Sequence, residues 1–136
     1  MENIIVGDIY RKEEARISGG GFTPPAGNEM YMQIKNFYED LKVKENELNP
    51  IEIAAWTHAE FVRIHPFIDG NGRTGRLLMN YQLLTHGYLP ISVAKENRLD
   101  YYNALEAFAV NGNLIPFADF VAELEEVQLD EYMKLV

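Results

Sequence analysis

Cysteine is absent from this chain. Disulfides, thiolate nucleophiles and cysteine metal sites are therefore excluded, while the redox compartment stays open. Long apolar runs are missing as well. The uncharged apolar stretches fall far short of the roughly 20 residues a membrane span needs, and the opening Met1–Glu14 lacks the pattern of a cleavable signal. Basic residues are scarce, 12 Lys and Arg against 21 Asp and Glu, for a formal charge of −9. Such a chain repels a phosphate backbone, which argues against a nucleic-acid binder. No repeat, low-complexity segment or domain boundary interrupts it. These absences predict a single domain over residues 1–136 with neither a nucleic-acid nor a membrane partner. They place it in the cytoplasm, with secretion by a route that uses no cleavable signal still compatible.

Apolar residues make up 47% of the 136 positions, enough for a real core. Their spacing is mostly helical. From Glu29 onward Met30, Ile34, Phe37, Tyr38 and Leu41 share one face. Asn49-Pro50-Ile51-Glu52 predicts a helix start, with Asn49 as cap, Pro50 in the first turn and Glu52 completing a capping box. That helix should run to about Ile64 and bury Ile51, Ala54, Ala55, His58, Phe61, Val62 and His65, and Pro66 stops it. A second should span roughly Gly72 to His86 and end at Gly87. A third, from about Lys95 to Val110, ends at Asn111-Gly112, and Pro116 opens a last one with Phe117, Phe120, Val121 and Leu124 inward. Ahead of these, Ile9–Lys12 and Ala15–Ser18 around Glu13-Glu14 suit a β-hairpin. The glycines at 19–21 and Pro24-Pro25-Ala26-Gly27 break regular structure. The fold expected is an all-α bundle with a small N-terminal β-hairpin flap over about residues 7–25.

The densest chemistry lies in His65-Pro66-Phe67-Ile68-Asp69-Gly70-Asn71-Gly72-Arg73-Thr74-Gly75-Arg76. The glycines fall where a helix N-terminus begins, and the unpaired N–H groups there attract anions. His65, at a helix end, is a base that titrates near neutral pH. Asp69 offers a hard carboxylate suited to Mg²⁺ beside phosphate oxygens. Gly70, Asn71 and Gly72 let backbone N–H groups close around an anion. Arg73 and Arg76, three apart, share a helix face and suit two-pronged phosphate recognition. Each residue alone has an ordinary structural reading, as core histidine, helix cap, tight turn or surface ion pair. A zinc-hydrolase reading of His58, His65 and Asp69 is weaker, because zinc sites gather three or four convergent ligands.

This stretch resembles the Fic family signature, His-Pro-Phe-x-Asp/Glu-Gly-Asn-Gly-Arg-x-x-Arg, with no mismatch. The likeness extends to Gly7–Arg11, Ile17-Ser18-Gly19 and Phe22–Pro25, similar to the family's flap, and to Arg98–Leu105, similar to its Arg-x-x-Tyr-Tyr-x-x-Leu segment. It covers residues 7 to about 125. The resemblance implies a helical Fic fold and a protein adenylyltransferase that moves AMP from ATP to a Ser, Thr or Tyr hydroxyl of a target protein, releasing pyrophosphate. By that resemblance His65 takes the hydroxyl proton and Asp69 holds Mg²⁺. Gly70, Asn71 and Gly72 steady the α- and β-phosphates, Arg73 binds the β-phosphate and Arg76 the γ-phosphate. Tyr101 and Tyr102 lie near the adenine, and Phe67 anchors the loop in the core. Tyr10, Arg11, Ile17 and Ser18 belong to the flap whose edge pairs with an extended segment of the target. The Asn that some members place beyond the tyrosines has no match, since Ala109 and Val110 stand there.

Many members carry an inhibitory Ser/Thr-x-x-x-Glu-Gly/Asn helix whose Glu pairs with the second arginine. This chain has no such pattern, so the brake is expected on a segment outside it or on a separate inhibitor protein. Relatives in the same fold that transfer phosphate carry Asn-Lys where this chain has Gly72-Arg73. Others transfer UMP or phosphocholine, and the motif does not separate these from AMP transfer. A catalytically silent module that binds a partner through its flap is the non-enzyme alternative.

Overall fold

Asn49 and Glu52 cap one another as their order predicts: the Glu52 amide donates to Asn49 Oδ1 at 2.8 Å, and the Asn49 amide donates to Glu52 Oε1 at 3.0 Å. The helix so started is the centre of the molecule. The computed structural model describes residues 10–12 and 22–136. Those residues form five α-helices, α1 Gly27–Glu47, α2 Pro50–Ile64, α3 Asn71–Thr85, α4 Arg98–Asn111 and α5 Ile115–Met133, with a 3₁₀ turn at Lys95–Asn97. Gly87 and Gly112, just past the ends of α3 and α4, take the left-handed φ of 84° and 71° that their positions predict. Tyr10–Lys12 are described and form no strand. The rest of the expected hairpin, Ile17 and Ser18 included, lies outside the described residues.

Ile53 to Ala59 are buried without a break, so α2 is covered on every side rather than along one stripe. It packs against α1, α3, α4 and α5. Toward α1 it presents Ile53, Trp56, Phe61 and Ile64 to Met30, Ile34 and Phe37, with Phe37 and Trp56 stacked 5.5 Å apart at 5°. The opposite face is small. Ala54, Ala55 and Ala59 meet Met79 and Leu83 of α3, Tyr101 and Ala104 of α4, and Phe117, Phe120 and Val121 of α5. Tyr38, expected inward, is 52% exposed on α1.

Gly75 decides how near α3 comes to α2. A Cβ there would stand 3.0 Å from Val62 Cγ2 and 3.1 Å from His58 Nδ1, so any larger residue would push those side chains back by a few tenths of an ångström. His58 itself is fully enclosed, stacked on Phe117 at 5.1 Å and 17°. Farther along, Asn80 brackets Ile91 by two hydrogen bonds of 2.9 and 3.0 Å. The Leu89 amide donates to Glu125 Oε1 at 2.8 Å. Burial raises the Glu125 pKa and that hydrogen bond opposes the rise. No helix among the described residues is long and apolar enough to cross a membrane.

Two outcomes follow from this packing. Gly75→Val should cost about 2–3 kcal/mol of stability through overpacking against Val62 and His58, read as a lower denaturation midpoint; an unchanged midpoint would contradict the close contact. Burial, with a smaller contribution from Arg76, holds the His58 pKa down at about 4 against 6.5 in the unfolded chain. Between those values the unfolded state binds the extra proton, so stability falls as pH drops from 6.5 towards 4, by about 3 kcal/mol in all. Thermal melts from pH 7 to 4.5 should show a shallower decline in His58→Gln than in the wild type.

Candidate active site

The site begins where α2 ends. His65 has φ 55° and ψ 59°, and among the described residues it alone takes positive φ without being glycine. A left-handed turn disfavours any residue with a Cβ, by about 1–2 kcal/mol, so neighbouring contacts must hold it. The His65 amide donates to the Phe61 carbonyl at 3.0 Å. Arg11, only 2% exposed, supplies the rest. Its Nε donates to the His65 carbonyl, its Nη2 to the carbonyls of Ile64 (3.2 Å) and Pro25, and its amide to the Pro66 carbonyl at 2.8 Å. A guanidinium at a helix C-terminus also opposes the negative end of the dipole. Arg11, expected on a target-facing flap, turns its side chain inward as a latch on the His65 turn.

Tyr10 also packs inward. Its ring stacks on Phe67 (5.8 Å, 23°) and meets Tyr31 edge-on (5.7 Å, 81°). Burial and a hydrogen bond with Tyr38 push its pKa to about 12. Phe67 further contacts Phe61 at 5.8 Å, which gives the loop the anchor its sequence suggests.

Asn71, 3% exposed, closes the loop: its Oδ1 accepts from the Phe67 amide and its Nδ2 donates to the Phe67 carbonyl, both at 2.9 Å. Its side chain is thus committed to the loop, and what it presents at the helix start is its backbone N–H. Gly70 caps α3 with φ 84° and no side-chain cap, and Thr74 is the first to return an amide hydrogen bond, to the Gly70 carbonyl at 2.9 Å. The amides of Asn71, Gly72 and Arg73 therefore head α3 without intrahelical acceptors. Asp69 is not spent on capping. Its side chain is 89% exposed and 3.8 Å from Arg73, itself 72% exposed, a pair worth little in water.

Both arginines fold back over the glycines. Arg73 Nη2 lies 3.2 Å from where a Gly70 Cβ would be, and Arg76 Nη1 lies 3.3 Å from the corresponding point on Gly72. Cationic groups thus gather around the positive end of α3, inside an acidic molecule. Burial, aided by Arg11 and opposed by the Val62 backbone, lowers the His65 pKa below its ordinary value. The half-buried imidazole is therefore neutral at pH 7, with Nδ1 buried against that backbone without a well-formed hydrogen bond.

The two tyrosines separate. Tyr102 is 57% exposed, whereas Tyr101 is 4% exposed and bonds His58 Nε2 through its hydroxyl at 2.7 Å. Arg76 Nη1 also donates to that hydroxyl, at 3.4 Å. Sequence reasoning placed His58 in the core but missed its link to the arginine. No local pattern signals that link, because its members lie on three helices far apart in the chain. The distance of His58 from Asp69 in kind is plain, since it sits among Tyr101, Phe117 and Gly75, and no group of three His, Asp or Glu able to hold a metal occurs among the described residues.

Comparison with known proteins gives this geometry its context. The protein adenylyltransferase Fic of Drosophila grimshawi is 39% identical over 130 residues, which is 95% of this chain and 26% of that protein. The chain thus spans about a quarter of that relative. Fic-1 (residues 134–508) from C. elegans superposes with a TM-score of 0.79 at 31% identity, over 93% of this chain and 37% of that one. The N-terminal Fic domain of a VirB-translocated Bep effector protein from Bartonella quintana, solved with bound ADP, matches with a TM-score of 0.63 at 25% identity, over 82% and 54% of the two chains. The family model of the Fic/DOC family matches residues 1–83, from the N-terminus through the whole loop and most of α3. On that match, with an unbroken signature from His65 to Arg76, this chain belongs to the Fic/DOC family.

Proposed function

We propose that this domain transfers AMP from ATP to a hydroxyl side chain of a target protein, with pyrophosphate as the leaving group. The observation that carries the reading is a neutral, half-buried His65 held in a left-handed turn directly ahead of a helix N-terminus over which two guanidiniums fold. The adenylyltransferase name of the Drosophila relative and the ADP held by the Bartonella domain support it.

In this mechanism the target hydroxyl oxygen attacks the α-phosphorus of ATP. His65 accepts the hydroxyl proton, the bond from the α-phosphorus to the α,β-bridging oxygen breaks, and pyrophosphate carries away the electron pair. The amides of Asn71 and Gly72 and the cations of Arg73 and Arg76 meet the charge on the β- and γ-phosphates, and fixed dipoles of this kind are the largest usual term in such catalysis. Arg11 keeps His65 in place, so little reorganisation accompanies proton transfer. Asp69 fits a Mg²⁺ ligand, because that ion takes one or two protein carboxylates and fills its shell with phosphate oxygens and water. The ion, when bound, would neutralise phosphate charge. Tyr102 is the exposed ring for the adenine, and the flap over about residues 7–25 is the segment expected to present the target.

Incubation with a lysate and ATP labelled at the α-phosphate tests the reading. Protein-bound α-label should form with the wild type and fall at least about 100-fold in His65→Ala. Label moving instead from the γ-position would make the chain a kinase, and UTP or CDP-choline as the better donor would shift the transferred group. Because His65 acts as the neutral base and its pKa lies below 6.5, the acid limb of kcat/KM should have its midpoint below pH 6.5, with activity lost as pH falls further. A midpoint above that value would remove His65 as the base.

A further inference from the structure

Three groups from three helices meet behind the phosphate site. His58 of α2, Tyr101 of α4 and Arg76 of α3 form a chain in which Arg76 Nη1 stands 3.4 Å from the Tyr101 hydroxyl and that hydroxyl 2.7 Å from His58 Nε2. Chemistry favours the polarity that gives the phenol proton an acceptor. A guanidinium only donates, so the phenol oxygen accepts from Arg76. The phenol proton must then go to an acceptor, and His58 Nε2 is the one in reach. Were Nε2 to donate instead, the phenol oxygen would face two donors and its own proton would have none. His58 is neutral, and this polarity puts its proton on Nδ1, which lies buried beside Gly75 without a well-formed hydrogen bond.

Packing leaves the chain little freedom. Tyr101 is 4% exposed and its ring is wedged among His58, Tyr102, Phe117 and Phe120 at centroid distances of 5.1 to 6.0 Å. His58 is 0% exposed. Arg76 is thus the one member that reaches the site, and it does so from a rigid backing.

We propose that His58 and Tyr101 are positioning residues that aim Arg76 at the terminal phosphate and so set the preference of this site for a nucleoside triphosphate over a diphosphate. The proposal rests on the nucleotide reading of the site but not on AMP transfer. Tyr101, grouped by resemblance with Tyr102 near the adenine, acts in this account through the arginine and makes no nucleotide contact itself.

Calorimetric titration of the whole chain with MgATP and MgADP separates the possibilities. Tyr101→Phe keeps the ring and removes only the hydroxyl. It should weaken MgATP binding about three- to tenfold, the range for one ordinary hydrogen bond, and leave MgADP binding unchanged. In an Arg76→Ala background the same substitution should add no further loss. His58→Leu, which removes the acceptor, should reproduce the ATP-specific loss, and His58→Gln, which retains one, should restore part of it. Thermal melts accompany each variant, and Tyr101→Phe carries the test where His58→Leu does not fold. Equal losses for both nucleotides, unchanged MgATP binding, or an additive loss beside Arg76→Ala would each overturn the positioning role alone. A wild type that binds neither nucleotide would overturn the phosphate reading of the site itself.

Discussion

The contact of α3 with α2 at Gly75 is the constraint on which the other features depend. With no Cβ on Gly75, the side chains of His58 and Val62 occupy the space beside it. That contact fixes the last turn of α2, which bears His65, relative to the first turn of α3, which offers its amides. His58, lying between Gly75 and α4, bonds the Tyr101 hydroxyl at 2.7 Å. A wider gap would part His65 from the head of α3 and break the link from His58 to Arg76. Core packing and site geometry are here the same contact.

Around that contact, buried polar groups do structural work that resembles site chemistry in type. Arg11 is a cation near the loop, yet it serves backbone carbonyls at the end of α2. Asn71 is a polar residue at the helix start, yet both ends of its amide serve Phe67. Groups so engaged hold a strained turn and a tight loop in register, while Asp69, Arg73 and Tyr102 stay open to solvent. The division follows from burial: a buried polar group must find a partner in the protein, and an exposed one need not.

Much of this was legible in the residues. The capping box at Asn49, the stop at Pro66 and the glycines after α3 and α4 act locally, so sequence order alone places them. The unbroken run from His65 to Arg76 was legible for the same reason, since a loop and the helix turn after it keep neighbours in sequence close in space. Harder to see were contacts between residues far apart in the chain. Arg11 lies 54 positions before His65, and His58 lies 43 before Tyr101. No periodicity in either segment marks those partners, and a single amphipathic pattern for α2 understated a helix that is covered all round.

By itself, then, the sequence determined the helices, their ends and the order of chemical groups along the loop, because these depend on neighbours within a few residues. Which polar groups face solvent and which lock the backbone was decided only by the tertiary structure. Tyr101 and Tyr102 are adjacent and identical in type, and only the packing of α4 against α2 and α5 buries one hydroxyl against His58 and leaves the other ring exposed. The reason is physical: a side chain's role depends on its solvent exposure and its partners, and both are set by helices that meet across the core.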